Sequence, residues 1–81
     1  MDPRERASKL KEVFPKVLTR LRKEKLLSMN ELAQRSQLSQ PFVVQLENGD
    51  RSPSLETAAR LACGLELSLR DLIKEVEAAM E

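Results

Sequence analysis

The sequence predicts an all-α protein, a compact bundle of about five short helices with a helical extension at the N-terminus. Three observations carry that prediction. Aromatic residues make up only 2% of the 81 residues and glycine occurs twice, a poor composition for packed sheets. Apolar residues recur at three- and four-residue intervals, in place of the alternation that a half-buried strand shows. Ser, Asp and Pro stand ahead of the apolar stripes, where helix starts need them. A chain of this length is near the lower limit for a core without disulfides or metal, so residues 1–81 read as one domain with no room for a second module.

The first helix starts at Asp2-Pro3-Arg4-Glu5, with an acid at the cap and Pro at the first helical position. Leu10, Phe14, Val17 and Leu21 follow on one face. Pro15 interrupts that face, because it lacks the N–H for the ladder and clashes one turn back, so the segment is either one kinked helix or two abutting helices divided near Phe14. Residues 1–14 then form an N-terminal extension. Ser28-Met29-Asn30-Glu31 is a capping box that opens a second helix from Met29 to about Ser36, with Leu32 and Ala33 inward. Gln37-Leu38-Ser39 is a tight turn. Ser39 caps a third helix from Gln40 to about Glu47, with Pro41 tolerated in the first turn and Gly49 closing the end in a left-handed conformation. Ser52-Pro53-Ser54 opens a fourth helix with Leu55, Ala58, Ala59, Leu61 and Ala62 as its buried stripe. Ser68 caps a fifth, with Leu69, Leu72, Ile73, Val76 and Met80 as the stripe.

The formal net charge is only +1, but its distribution is uneven. Residues 1–25 carry a net +5 and the remainder −4, so the N-terminal third could face phosphates or could be an ordinary solvated helix surface. The single cysteine, Cys63, has no partner for a disulfide and no His for a zinc site, which points to a reducing cytoplasm and to no metal or other cofactor. No apolar run is long enough to span a membrane, and the charged first ten residues do not resemble a secretory signal. With no His, Tyr or Trp, no glycine-rich phosphate loop and no base beside Cys63, the chain is not expected to be an enzyme. The two Phe residues are needed for packing and cannot form a stacking platform for single strands.

From Arg20 to Ile73 the sequence resembles the helix-turn-helix family of phage lambda-type repressors and Cro proteins, also called the xenobiotic-response-element family. The likeness rests on Leu21-Arg22-Lys23-Glu24-Lys25, on Leu27 through Gln34, on Gln45-Leu46-Glu47-Asn48-Gly49-Asp50-Arg51-Ser52-Pro53-Ser54, and on Leu61-Ala62 through Leu72. It covers about two-thirds of the chain, and the order and spacing of the four stretches are its specific part. The resemblance implies that residues of about 28–48 form the motif, with the third helix in the major groove of double-stranded DNA. Spacing agrees: if Val43 and Leu46 pack inward, the same helix presents Gln40, Pro41, Val44, Gln45 and Asn48 outward. Gln can bind adenine N6 and N7 together and Val can meet a thymine methyl, so Gln40, Pro41, Val44 and Gln45 are the candidate base-contacting residues. The plain alternative is that the Gln residues only keep a surface helix soluble.

Candidate phosphate contacts flank that face: Arg22, the helix start at Met29, Ser39, the Asn48 and Gly49 backbone, and Arg51. The family pattern implies an ion pair between Arg22 and Glu47. It also implies departures, because three turn positions that are usually Gly carry Leu26, Gln37 and Glu66, and Met29 replaces a Gln that commonly touches phosphate. A positive φ at any of the three would cost about 1 kcal/mol. Leu65, Leu67, Ala79 and Met80 add apolar surface beyond one stripe, so residues 62–81 are the expected dimerisation region of a homodimer, placing two third helices on a palindromic operator. Alternatively the segment from Pro3 to Phe14 packs back over these residues. The function expected is a dimeric transcriptional repressor or autoregulator, with no small-molecule ligand. The competing reading is an interaction module of the same fold, an antitoxin or adaptor without direct DNA contact, which Phe42 and Val44 would suit.

Overall fold

The computed structural model describes residues 1–81, which form the helices α1 (Pro3–Glu24), α2 (Met29–Ser36), α3 (Gln40–Asn48), α4 (Leu55–Gly64) and α5 (Leu69–Ala79), and no strand. None of the helices is long and apolar enough to cross a membrane. Asp2, Ser28, Ser39, Ser54 and Ser68 cap the helices as the sequence predicts, each side chain accepting a first-turn backbone N–H. The capping box at α2 is closed in both directions, Ser28 N–H donating to Glu31 Oε1 at 2.8 Å and Glu31 N–H donating to Ser28 Oγ at 3.0 Å. Ser28's backbone N–H, and then its hydroxyl, hold the Glu31 carboxyl below the usual glutamate range.

Pro15 neither divides nor ends α1, which runs as one helix of 22 residues. At 1.5 Å per residue this is about 33 Å, and it accounts for most of the 37 Å long axis of the molecule. The N-terminal helical extension, residues 1–14, runs without a break into the rest of α1. Val13, Phe14, Val17 and Leu18 are buried on either side of Pro15, so tertiary packing holds the segment helical where the local ladder is broken. The core then fills from every helix: Leu32, Val43, Leu46, Leu61, Leu65, Leu72 and Val76 are fully buried with Leu18.

All four turns close in one way. The N–H of Leu27, Leu38, Asp50 and Leu67 reaches back five residues to the carbonyl of Arg22, Ala33, Gln45 and Ala62, at 3.1, 2.9, 2.9 and 2.8 Å. The residue before each donor lies at positive φ, 58° at Leu26, 56° at Gln37, 81° at Gly49 and 62° at Glu66. Only Gly49 meets that geometry without a Cβ penalty, so the three positions where the family pattern has glycine do carry backbone strain. In three of the turns the donor residue is a leucine directed inward: Leu27 is buried, and Leu38 and Leu67 pack partly buried against the core.

Several apolar positions depart from the predicted stripes. Leu10 and Leu55 are 43% and 72% exposed and Ala59 is exposed, because Leu10 lies a turn beyond the core end of α1 and Leu55 opens the first turn of α4 at the rim. Leu65, expected on a dimer surface, is fully buried in the core, and Leu67 is turned inward by the turn that it closes. Met80 is half-buried beside Met1, Pro3 and Ala7, and Arg6 reaches Glu77 at 3.8 Å, so the start of α1 does pack back along α5. Only Ala79 of the four expected interface residues is exposed.

One buried contact sets the place of α3. Arg22 donates from Nε to Glu47 Oε2 at 2.7 Å, from Nη2 to Glu47 Oε1 at 3.0 Å and from Nη1 to the Leu27 carbonyl at 2.8 Å. Thr19 adds a hydroxyl donated to Glu47 Oε1 at 2.8 Å. Side-chain exposure is 9% for Arg22 and 3% for Glu47, so this is a buried bidentate pair and not a surface one. At the other side of the motif, α2 and α4 approach where Gly64 faces Ser36, whose buried hydroxyl has no hydrogen-bond partner.

Three stability measurements test this description. Glu47→Ala should cost about 3 kcal/mol or more in urea titration, because it leaves a buried guanidinium without its carboxylate; Arg22→Met with Glu47→Leu should cost less than Glu47→Ala alone, and an equal or greater cost would count against a buried pair. Gln37→Gly should be neutral or stabilising by up to about 1 kcal/mol, since relief of the left-handed strain outweighs the added chain entropy, whereas Gln34→Gly inside α2 should destabilise by about 1 kcal/mol. A Cβ at Gly64 would collide with Ser36 Oγ, so Gly64→Ala should cost about 1–3 kcal/mol, and Ser36→Ala should be tolerated and recover part of that loss.

Candidate nucleic-acid interface

The unit formed by α2, the turn and α3 holds one helix by its back and leaves its front free. Val43 and Leu46 are fully buried, which fixes the rotation of α3. With those two inward, Gln40, Pro41, Gln45 and Asn48 lie together on the exposed side, and Val44 at its edge is half-buried. The sequence-predicted base-contacting residues therefore share one helix face, with Val44 less available than the others. Phe42 is half-buried, and the Arg51 guanidinium carbon lies 5.4 Å from its ring centroid, so the aromatic face is covered by a cation.

The predicted phosphate contacts divide into those that the geometry leaves available and those that it does not. Ser39 is exposed; its oxygen accepts the Phe42 N–H at 3.2 Å, and its own hydroxyl hydrogen is free to donate outward. Asn48 and Arg51 are exposed, and Arg51 has no acidic partner in the chain. At the start of α2 the Met29 side chain is half-buried against the core, but the Met29 and Asn30 backbone N–H groups bond to no acceptor in the protein. Gly49 departs from expectation, because its N–H is taken by the Leu46 carbonyl at 3.3 Å and that of Asp50 by Gln45. Arg22 uses three of its five N–H groups within the protein, which ties α3 to α1, and one further N–H remains on each of Nη1 and Nη2.

Three further groups had little or no signal in the sequence. Thr19 completes the Glu47 carboxylate from one turn before Arg22, and only the i, i+3 spacing of Thr19 and Arg22 marks it. Arg60 on α4 donates to the Gln37 carbonyl at 3.2 Å and braces the turn, a contact that no local pattern announces. Lys16 and Lys23 are exposed, have no acidic partner, and lie three residues before and four after Thr19 on the same face of α1. Because Thr19 touches Glu47, this pair adds positive charge beside the C-terminal end of α3.

Residues 18–72 match the helix-turn-helix family. The chain is 38% identical over 60 residues to the HTH-type transcriptional regulator DdrOP3 of Deinococcus deserti, a stretch covering 74% of this chain and 46% of that protein. It is 34% identical over 65 residues to the control protein C.MunI of a Mycoplasma species, covering 79% of this chain and 88% of that protein. The chain thus spans about half the length of the first relative and most of the second. Among solved structures, the clp gene regulator ClgR from Corynebacterium glutamicum has a TM-score of 0.78 at 29% identity, covering 89% of this chain and 94% of the other. The matched region contains both helices of the motif, all four strained or glycine-closed turns and the Arg22–Glu47 pair, and the chain belongs to the helix-turn-helix family of lambda-repressor and Cro type.

Proposed function

We propose that this protein is a cytoplasmic transcriptional regulator, acting as a repressor or autoregulator, that reads double-stranded DNA with α3 in the major groove and binds a palindromic operator as a pair of copies. The carrying observation is the row of Gln40, Pro41, Gln45 and Asn48 on a helix whose reverse side, Val43 and Leu46, is fully buried. A helix held so firmly presents its polar groups in fixed directions, which bidentate recognition of adenine by Gln requires. Ser39, Arg51 and the free N–H groups at the start of α2 surround that row with donors for backbone phosphates, and the Asn48 side chain at the end of the row can add one. Lys16 and Lys23 extend the positive border beyond α3. The rival reading, an interaction module that uses the same fold without DNA, loses part of its support: Val44 and Phe42 are half-buried, and Phe42 lies under Arg51.

Selection of bound duplexes from random DNA should return a site with two-fold symmetry. At that site Gln45→Ala should cost about 1–3 kcal/mol and relax the preference at one base pair. Arg51→Ala should weaken all duplexes alike and reduce the slope of log affinity against log salt by about 1. Equal loss of specific and nonspecific affinity in Gln45→Ala would remove the assigned division of labour, and no duplex binding even at low salt would favour the interaction module.

A further inference from the structure

Arg51 lies past the C-terminal end of α3, yet its guanidinium reaches back to the first turn of that helix, 5.4 Å from the centroid of the Phe42 ring. No carboxylate draws it there, since Arg51 enters no ion pair. Phe42 is itself held in place: its side chain packs half-buried against the core, and its backbone N–H donates to Ser39 Oγ at 3.2 Å. It also stands three residues before Gln45, so ring and glutamine are neighbours on the surface of α3. We propose that Phe42 is a positioning residue for DNA binding, its ring holding the Arg51 guanidinium at the flank of the reading row where a backbone phosphate would pass. This rests on the DNA-binding reading and adds to it a residue that acts through another.

Two physical effects favour an aromatic ring for this task. An arginine side chain loose in solvent gives up the freedom of several torsions when it meets a phosphate, and one that already rests on a ring gives up less. The second effect concerns the donors. A cation is attracted to the face of the π-system, so the contact leaves free N–H groups and a net charge that a carboxylate partner would take up. Arg20 and Arg60 are held in that other way, by glutamates, and their charge is answered within the chain. Leucine at position 42 would keep an apolar contact with the core but present no negative ring face. The backbone N–H that holds Ser39 would be unchanged by it, so substitution of the side chain tests the Arg51 contact alone.

In the free wild-type protein the Arg51 δ-protons should resonate upfield of those of the other arginines, from the ring current of Phe42, and return to the ordinary position in Phe42→Leu. Phe42→Leu should stay folded by circular dichroism and bind both the selected operator and random duplex about two- to fivefold more weakly, the size of an exposed cation–π contact. Phe42→Met, also without a ring, should repeat that result, and Phe42→Tyr, which keeps the ring, should recover the affinity that leucine loses. In an Arg51→Ala background Phe42→Leu should cause no further loss, because its effect passes through the guanidinium. An unshifted Arg51 in the wild type, undiminished affinity in the variants without a ring, or a loss that persists in the Arg51→Ala background would each overturn the proposal. So would a loss confined to the operator, which would mean that the substitution disturbs the base-reading row. A wild type that binds no duplex even at low salt sinks the DNA-binding reading, whatever the Arg51 shift. One that binds duplex no better than Phe42→Leu sinks the positioning role alone.

Discussion

The guanidinium of Arg22 is the point on which the rest of the arrangement depends. It emerges from α1, donates to the carbonyl of Leu27 at the turn into α2, and grips both oxygens of Glu47 near the end of α3. The turn that follows α1 and the distant end of α3 are thereby fixed to one planar group. A lysine could not replace it, because an ammonium lacks the fork that meets a carboxylate with two parallel bonds while a third donor serves the backbone. Burial makes the contact exacting. Neither charge can return to water without opening the fold, so loss of either partner is worse than loss of both. The benefit is positional: α3 is tied at its C-terminal end by Glu47 and along its back by Val43 and Leu46.

Economy of connection reinforces that placement. Each turn ends its helix with the same backward hydrogen bond and a left-handed residue, and in three of them the next residue is a leucine that plugs the core. Strain at Leu26, Gln37 and Glu66 is offset by the inward leucines that follow and by the packing of the helices joined. The buried, unpartnered Ser36 hydroxyl opposite Gly64 is a further local cost, accepted where α2 and α4 come closest. The result is a motif with little freedom in the loops, so that the exposed side chains of α3 are held in fixed directions.

Charge on the surface follows the same division. Arg6, Arg20, Lys25, Arg35 and Arg60 are engaged by carboxylates of other turns or helices, and for Arg20 the bonds to Glu75 and then Glu24 raise its pKa further. Lys16, Lys23 and Arg51 are left without such partners close to the end of α3. A net charge of +1 conceals this, because the acids that balance the total lie mainly in the second half of the chain. Local imbalance, and not total charge, is what a polyanion would meet.

The sequence by itself determined the features whose physics closes within a few residues. Ser28, Ser39, Ser54 and Ser68 mark helix starts because a hydroxyl reaches an N–H three positions on, and Gly49 ends α3 because a left-handed residue must stand there. Leu26, Gln37 and Glu66 were legible as strained turns from the family pattern, and the outward row on α3 followed once Val43 and Leu46 were read as inward. Tertiary structure decided what local rules leave open. The packing of Val13, Phe14, Val17 and Leu18 carries α1 through Pro15, the turn into α5 draws Leu67 inward while Leu65 enters the core, and the rim positions leave Leu10 and Leu55 in solvent. The depth of the Arg22–Glu47 pair and the capture of the Gly49 N–H were likewise invisible. A cap needs only its own turn of helix, whereas the burial of an apolar or charged side chain depends on which distant helix stands opposite it.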